Sequence, residues 1–299
     1  MHEPIIVNPK LASALLPARP DSGHKGTFGT LLSVCGSRDM PGAACLSAMA
    51  ALKCGVGLVM LASVPSVVSV AQNRMLEPIY IPLAEDAGGH IASVNANSLL
   101  SLPRPTAILA GCGMGISADT RSLMDSLSEN SPLPMVIDAD GLNSLKDNIR
   151  SLRARKAGTV LTPHLGELAS LIDKDRAAVI NDPCESAELL HKISGAVIAA
   201  KSSATNIVSH NARYLLDAPN SGLAKGGSGD VLAGCIASFL AQGLPAEDAA
   251  VLGVYVHSAA GRRAADRLGR YGMLPSDIIN EIPYILKELE EIRDEDTRP

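Results

Sequence analysis

Tryptophan is absent from this 299-residue chain, and aromatic residues together make up only 2% of it. So few rings exclude the stacking platforms that hold long single-stranded nucleic acids. Basic runs are missing too, and the formal net charge is −5, so nucleic acid is not the partner to expect. The longest apolar stretches fall short of a membrane span and are broken by glycine or proline. The opening residues, Met-His-Glu-Pro-Ile-Ile-Val-Asn-Pro-Lys, do not follow a signal-peptide pattern. These absences predict a cytoplasmic protein with no membrane partner. Six cysteines (35, 45, 54, 112, 184 and 235) form no Cys-x-x-Cys, and none stands at zinc spacing from a histidine. They read as small buried hydrophobes in a reducing compartment. A Walker A loop is absent, and so is a Gly-x-Ser-x-Gly elbow.

What is present is an apolar fraction of 46%, enough for a substantial core. Short apolar runs alternate with helical patterns. Strands are predicted at 30–35, 57–62, 79–82, 107–110, 135–137, 159–161 and 196–200. Helices are predicted at 41–54, 119–128, 167–171 and 186–193. This rhythm implies a doubly wound α/β fold, a mostly parallel sheet with helices on both faces. Segments 207–208 and 213–217 flank His210-Asn211-Ala212 and predict an antiparallel hairpin at the sheet edge. Two long helices close the chain, one over 246–268, rich in Ala and Gly, and one from Ser276-Asp277 to about 290. With no repeat and no linker, residues 1–299 read as one domain. Residues 1–25, with four prolines, read as an N-terminal arm and 293–299 as a frayed tail.

Residues 224–235 say most: Ala-Lys-Gly-Gly-Ser-Gly-Asp-Val-Leu-Ala-Gly-Cys. Small residues Gly226, Gly227, Ser228 and Gly229 end on Asp230. An apolar stripe at helical spacing follows (Val231, Leu232, Cys235, Ile236, Phe239, Leu240). A helix starting there aims free N–H groups at an anion such as phosphate. A carboxylate at that spot repels phosphate, but it suits a base for a hydroxyl about to attack phosphorus. A glycine turn with Asp230 as a helix cap explains the same residues equally well.

Further segments stand at the ends of predicted strands, where open α/β sheets bind ligands. Cys35-Gly36-Ser37 with Pro41-Gly42-Ala43-Ala44 is a small-residue loop opening a helix. Gly111-Cys112-Gly113-Met114-Gly115 lacks the third glycine of a dinucleotide fingerprint. Asp138 and Asp140 can hold magnesium, or serve as a cap and a solvated acid. Thr162 and His164 can meet a ligand while Glu167 caps a helix, although a lone histidine is more often structural. Lys201 with Ser202, Ser203 and Thr205 suits phosphate contacts or a surface turn.

In this order the segments resemble the ribokinase-like superfamily, and within it the ADP/ATP-dependent NAD(P)H-hydrate dehydratases. The resemblance spans about 20–285. It is carried by Lys25-Gly26-Thr27-Phe28-Gly29, Pro41-Gly42-Ala43-Ala44, the run 51–59, Asp138-Ala139-Asp140-Gly141-Leu142-Asn143, Thr162-Pro163-His164-Leu165-Gly166-Glu167, 220–234, 253–261 and Gly272-Met273-Leu274-Pro275-Ser276-Asp277. It implies a ribokinase-like fold and repair of hydrated NADH or NADPH, with a phosphoryl group from ADP or ATP activating the ring hydroxyl. Asp230 would be the base. Lys201, Ser202, Ser203, Ala204 and Thr205 would bind the AMP portion, and Gly226, Gly227, Ser228 and Gly229 the phosphates. Ala44, Gly113, His164 and Asp230 would hold the damaged dinucleotide. Mg²⁺ and a homo-oligomer, a tetramer by preference, are implied as well. In the family the N-terminal side often carries an epimerase, for which the residues before Lys25 are too few, so a stand-alone dehydratase is expected. Three positions depart from the family: Ser202 replaces a usual Gly, Cys112 a usual Pro, and Lys225 a usual Thr. Two rivals remain, a small-molecule kinase acting on a thiazole or pyrimidine alcohol and a non-catalytic nucleotide sensor. The sensor has no need of Asp230.

Overall fold

The computed structural model describes residues 3–296. Ten strands form one sheet: β1 (Ile5–Ile6), β2 (Thr30–Val34), β3 (Leu58–Ser63), β4 (Ile79–Pro82), β5 (Ala107–Ala110), β6 (Met135–Ile137), β7 (Thr159–Leu161), β8 (Val197–Ala200), β9 (Ala204–Val208) and β10 (Arg213–Asp217). Their spatial order is β1-β10-β9-β8-β7-β6-β5-β2-β3-β4. Pairing is parallel except for β8 with β9 and β9 with β10. Strands β2, β5, β6 and β7 are wholly buried, which explains their continuous apolar runs.

Chain direction through the sheet reverses at β2, which pairs with β3 on one side and β5 on the other. Such a switch point opens a crevice beyond the strand ends. Here Gly36 N–H bonds to Cys112 O at 2.8 Å, joining the loops that follow the two strands. One helical layer comprises Pro9–Leu15, Pro41–Lys53, Ser228–Ala241, Ala246–Gly272 and Pro275–Asp296. A second is built from Ala118–Asn130, Lys146–Ala154, Leu165–Leu171 and Pro183–Ser194.

The Ala/Gly-rich helix spends its small-residue face inside the chain. A Cβ on Gly253 would lie 2.9 Å from the Ile236 backbone, and one on Gly261 would lie 2.5 Å from Leu223. On the facing helix, Gly234 meets Ser47 O as closely. Only glycine permits these approaches.

Three expectations change. The hairpin β9–β10 does not form the edge, because β1 pairs with β10 beyond it. The N-terminal segment is therefore built into the fold, and Ser13 Oγ donates to Leu289 O at 2.7 Å. The closing helix continues past 290 through Asp296, so 293–296 are helical; 297–299 lie outside the described residues. Leu286, Leu289 and Ile292 keep one apolar face packed on the core, which carries the helix through its charged end. Among the described residues no helix is long and apolar enough to cross a membrane.

Candidate active site

The glycine loop enters the helix Ser228–Ala241 through Gly227, whose φ is 97°. That left-handed conformation lets the chain turn into the helix, and Ser228 N–H closes the turn by donating to Lys225 O at 3.2 Å. Beside it lies a cavity of about 790 Å³. Its lining includes Lys201, Ser202, Ser203 and Thr205 together with Gly226, Gly227, Ser228, Gly229 and His164. The structure thus brings together the two segments that sequence assigned to the nucleotide. Ala204 is the exception. It opens β9, and its carbonyl and N–H both turn to Ser202 Oγ, at 2.6 and 3.3 Å.

Valine at position 227 would force a β-branched residue into the left-handed region, and its Cβ would lie 2.6 Å from Leu46 Cδ1 and 3.1 Å from Pro275 Cγ. Gly227→Val is expected to weaken nucleotide binding and to cost about 1–3 kcal/mol of stability. Calorimetric titration with nucleotide and a denaturant midpoint measure the two effects. Unchanged affinity would show that this loop is not the phosphate cradle.

Lys225 does not present its charge to the loop. Its Nζ donates to Tyr271 O at 2.7 Å and Met273 O at 2.6 Å, tying the loop to the end of the helix Ala246–Gly272.

Behind the cavity-lining Lys201, Asp138 is buried, and its Oδ1 accepts from Lys201 Nζ and Thr162 Oγ1, each at 2.6 Å. Thr162 is thus fully buried on this carboxylate and does not face a ligand. Asp140 Oδ2 accepts from Gly115 N at 2.9 Å. Between the two acids Ala139 takes a positive φ of 49°. The group that converges is Cys112, Asp138 and Asp230, whose ligand atoms lie within 4.8 Å of one another. Burial pushes the Asp230 carboxyl up to about 6, and the negative Asp138 adds to this, while the Cys112 thiol and Lys201 ammonium pull the other way. A base with that proton affinity is poised for work near neutral pH.

His164 caps the helix Leu165–Leu171. Its Nδ1 accepts from Gly166 N and Glu167 N, and Glu167 Oε2 accepts from His164 N at 2.8 Å. Its outer face stays exposed, so cap and ligand roles are compatible. Ala44 is fully buried, and its methyl faces Gly36, so its side chain offers a ligand nothing. The exposed residues of that turn are Gly42 and, in part, Ala43. Gly113, at φ 63°, packs against Ala43 and Met40.

Two neighbours had no local signal in the sequence, Cys112 and His257. Buried His257 lines the cavity, with Nε2 3.2 Å from Ser228 Oγ. Burial holds its imidazole down at about 4, against an ordinary 6.5. The unfolded chain therefore takes up this proton first on acidification. The stability contributed is present above about pH 6.5 and lost as pH falls toward 4. His257→Gln is expected to remove up to roughly 3 kcal/mol of that acid sensitivity. Denaturant midpoints across this range test it, and an unchanged slope would refute it.

A sequence profile of NAD(P)H-hydrate dehydratases matches residues 31–284. The chain is 38% identical over 279 residues to a bifunctional NAD(P)H-hydrate repair enzyme of Moorella thermoacetica, covering 92% of this chain and 52% of that one. It thus spans about half the length of the bifunctional relatives it matches. It is 34% identical over 283 residues to the ADP-dependent (S)-NAD(P)H-hydrate dehydratase of Xanthomonas campestris, covering 93% of this chain and 96% of that one. A solved structure of the ADP/ATP-dependent NAD(P)H-hydrate dehydratase from Bacillus subtilis, co-crystallised with ATP/Mg²⁺, matches with a TM-score of 0.86 at 27% identity, over 97% of this chain and 100% of that one. With sequence and fold matched over nearly its full length, the chain belongs to the NAD(P)H-hydrate dehydratase family.

Proposed function

We propose that this chain uses ADP or ATP to dehydrate the hydrates of NADH and NADPH, as one ribokinase-like domain. The observation that carries the reading is Asp230. It stands at the start of the helix Ser228–Ala241, directly after the glycine loop, and burial tunes it to about 6. Hydroxide leaves a carbon poorly and phosphate leaves well, so the ring hydroxyl must be phosphorylated before it departs. The Asp230 carboxylate takes the hydroxyl proton as the oxygen attacks the terminal phosphorus. The bond from that phosphorus to AMP (or ADP) breaks, and the loop N–H groups hold the charge that develops. Departure of phosphate from the ring carbon, with the proton on the neighbouring ring carbon lost to solvent, then restores the reduced ring.

Magnesium would accompany the nucleotide. The converging cluster does not suit it, because a thiol sulfur is a poor partner for an ion that wants six oxygens. Asp140 fits better, since only its Oδ2 is engaged, and magnesium usually binds one or two carboxylates plus phosphates. When bound it would neutralise phosphate charge.

Incubation of the chain with hydrated NADH and either nucleotide should restore the near-ultraviolet absorbance of the reduced ring and release inorganic phosphate. A stable phosphorylated product would favour a kinase, and no turnover would favour a sensor. We also propose a homo-oligomer, a tetramer in the cytoplasm. This rests on resemblance to the family, since the small-residue helix face is spent internally. A monomer mass by light scattering would overturn it.

A further inference from the structure

We propose that Cys112, Asp138 and Asp230 form a site for a thiophilic divalent cation such as zinc or cadmium, beneath the phosphate loop. Cys112 Sγ lies 3.8 Å from Asp138 Oδ2, and an Asp230 oxygen completes a trio within 4.8 Å. Metal–sulfur bonds of about 2.3 Å and metal–oxygen bonds of about 2.0–2.2 Å place two tetrahedral ligands about 3.6 Å apart. The cluster is therefore close to coordination geometry without backbone movement.

The donors are also the right ones to spare. Lys201 and Thr162 both use Asp138 Oδ1, which leaves Oδ2 for an ion. That oxygen is buried, and the Cys112 thiol is its neighbour. Asp140 adds negative charge nearby, against the ammonium of Lys201. A Cβ on Gly229 would lie 3.8 Å from Asp138 Oδ2, so the site adjoins the cavity wall formed by the loop. On binding, the thiol proton leaves to solvent and the sulfur–metal bond forms. Magnesium lacks the softness to recruit the sulfur. The bound ion would occupy the Asp230 carboxylate and inhibit turnover; that consequence, unlike binding itself, rests on the function proposed above.

Titration of the protein with cadmium, followed by its thiolate-to-metal charge-transfer absorbance, tests the site. A saturable band is expected, lost on zinc addition and retained in millimolar magnesium. Cys112→Ala and Cys112→Ser, with folding verified by circular dichroism, should lose it, and Asp230→Asn should weaken affinity by about 10–100-fold. The double variant Cys45→Ala/Cys184→Ala, which removes the two partly exposed thiols, should keep it. Absence of a band, its persistence in both Cys112 variants, or its loss in the double variant would each overturn the proposal. Cadmium binding that leaves turnover intact would uphold the site and instead remove Asp230 as the base.

Discussion

Asp230→Asn is expected to lower kcat by about 10²–10⁴-fold, the usual cost of losing a general base. Nucleotide affinity should change little, because the loop N–H groups and the cavity walls remain. Asparagine keeps the shape and cannot take the hydroxyl proton. Two further signatures separate this from a capping role. In the parent protein kcat/KM should fall as pH drops through about 6, where Asp230 becomes protonated. The variant should lack that limb in its residual activity. Stability should move the opposite way. The folded carboxyl titrates at about 6 and the ordinary one at 3.8, so the folded state gains from protonation below 6 and bears a buried charge above it. The asparagine variant should thus be more stable than its parent above pH 6, by about 1–3 kcal/mol, and lose the advantage toward pH 4. Near-normal kcat would return Asp230 to the role of a cap.

The strands were the most legible part of the sequence. Runs such as Ala107–Ala110 and Met135–Ile137 are apolar throughout and stop at glycine or aspartate, so composition alone marks their ends. The helix Pro65–Gln72 was not read, because Val67, Val68 and Val70 give it the look of a strand. The two residues of β1 carry no pattern at all; they exist because the edge of β10 needs a partner. In the site, the glycine loop and the segment after β8 were legible because each is contiguous. The fate of the acids was not. That Asp138 meets Lys201 depends on the pairing of β6, β7 and β8. Cys112 reaches Asp138 and Asp230 only through the register of β2, β5 and β6. His257 meets Ser228 across 29 residues, a separation that no local spacing encodes.

Lys201→Met should be the most destabilising of these changes. It strands the buried Asp138 carboxylate, with Thr162 as its remaining hydrogen-bond donor on Oδ1. Burial alone would lower the Lys201 ammonium, but Asp138 and Glu167 outweigh it and keep the group charged. Breaking one side of a buried ion pair typically costs about 3–5 kcal/mol. The double variant Asp138→Asn/Lys201→Met removes both charges and should recover about 2–3 kcal/mol of that loss, a coupling visible in denaturant midpoints of the four proteins. A cost below about 1 kcal/mol for the single change would mean that the pair is solvated and contributes little. The same substitution reaches the chemistry. Lys201 holds the Asp230 carboxyl down, and Asp138, no longer neutralised, pushes it up. The acid limb of kcat/KM should therefore move to higher pH in Lys201→Met and return toward its original position in the double variant. A lysine that served only to bind nucleotide would raise KM and leave that limb in place.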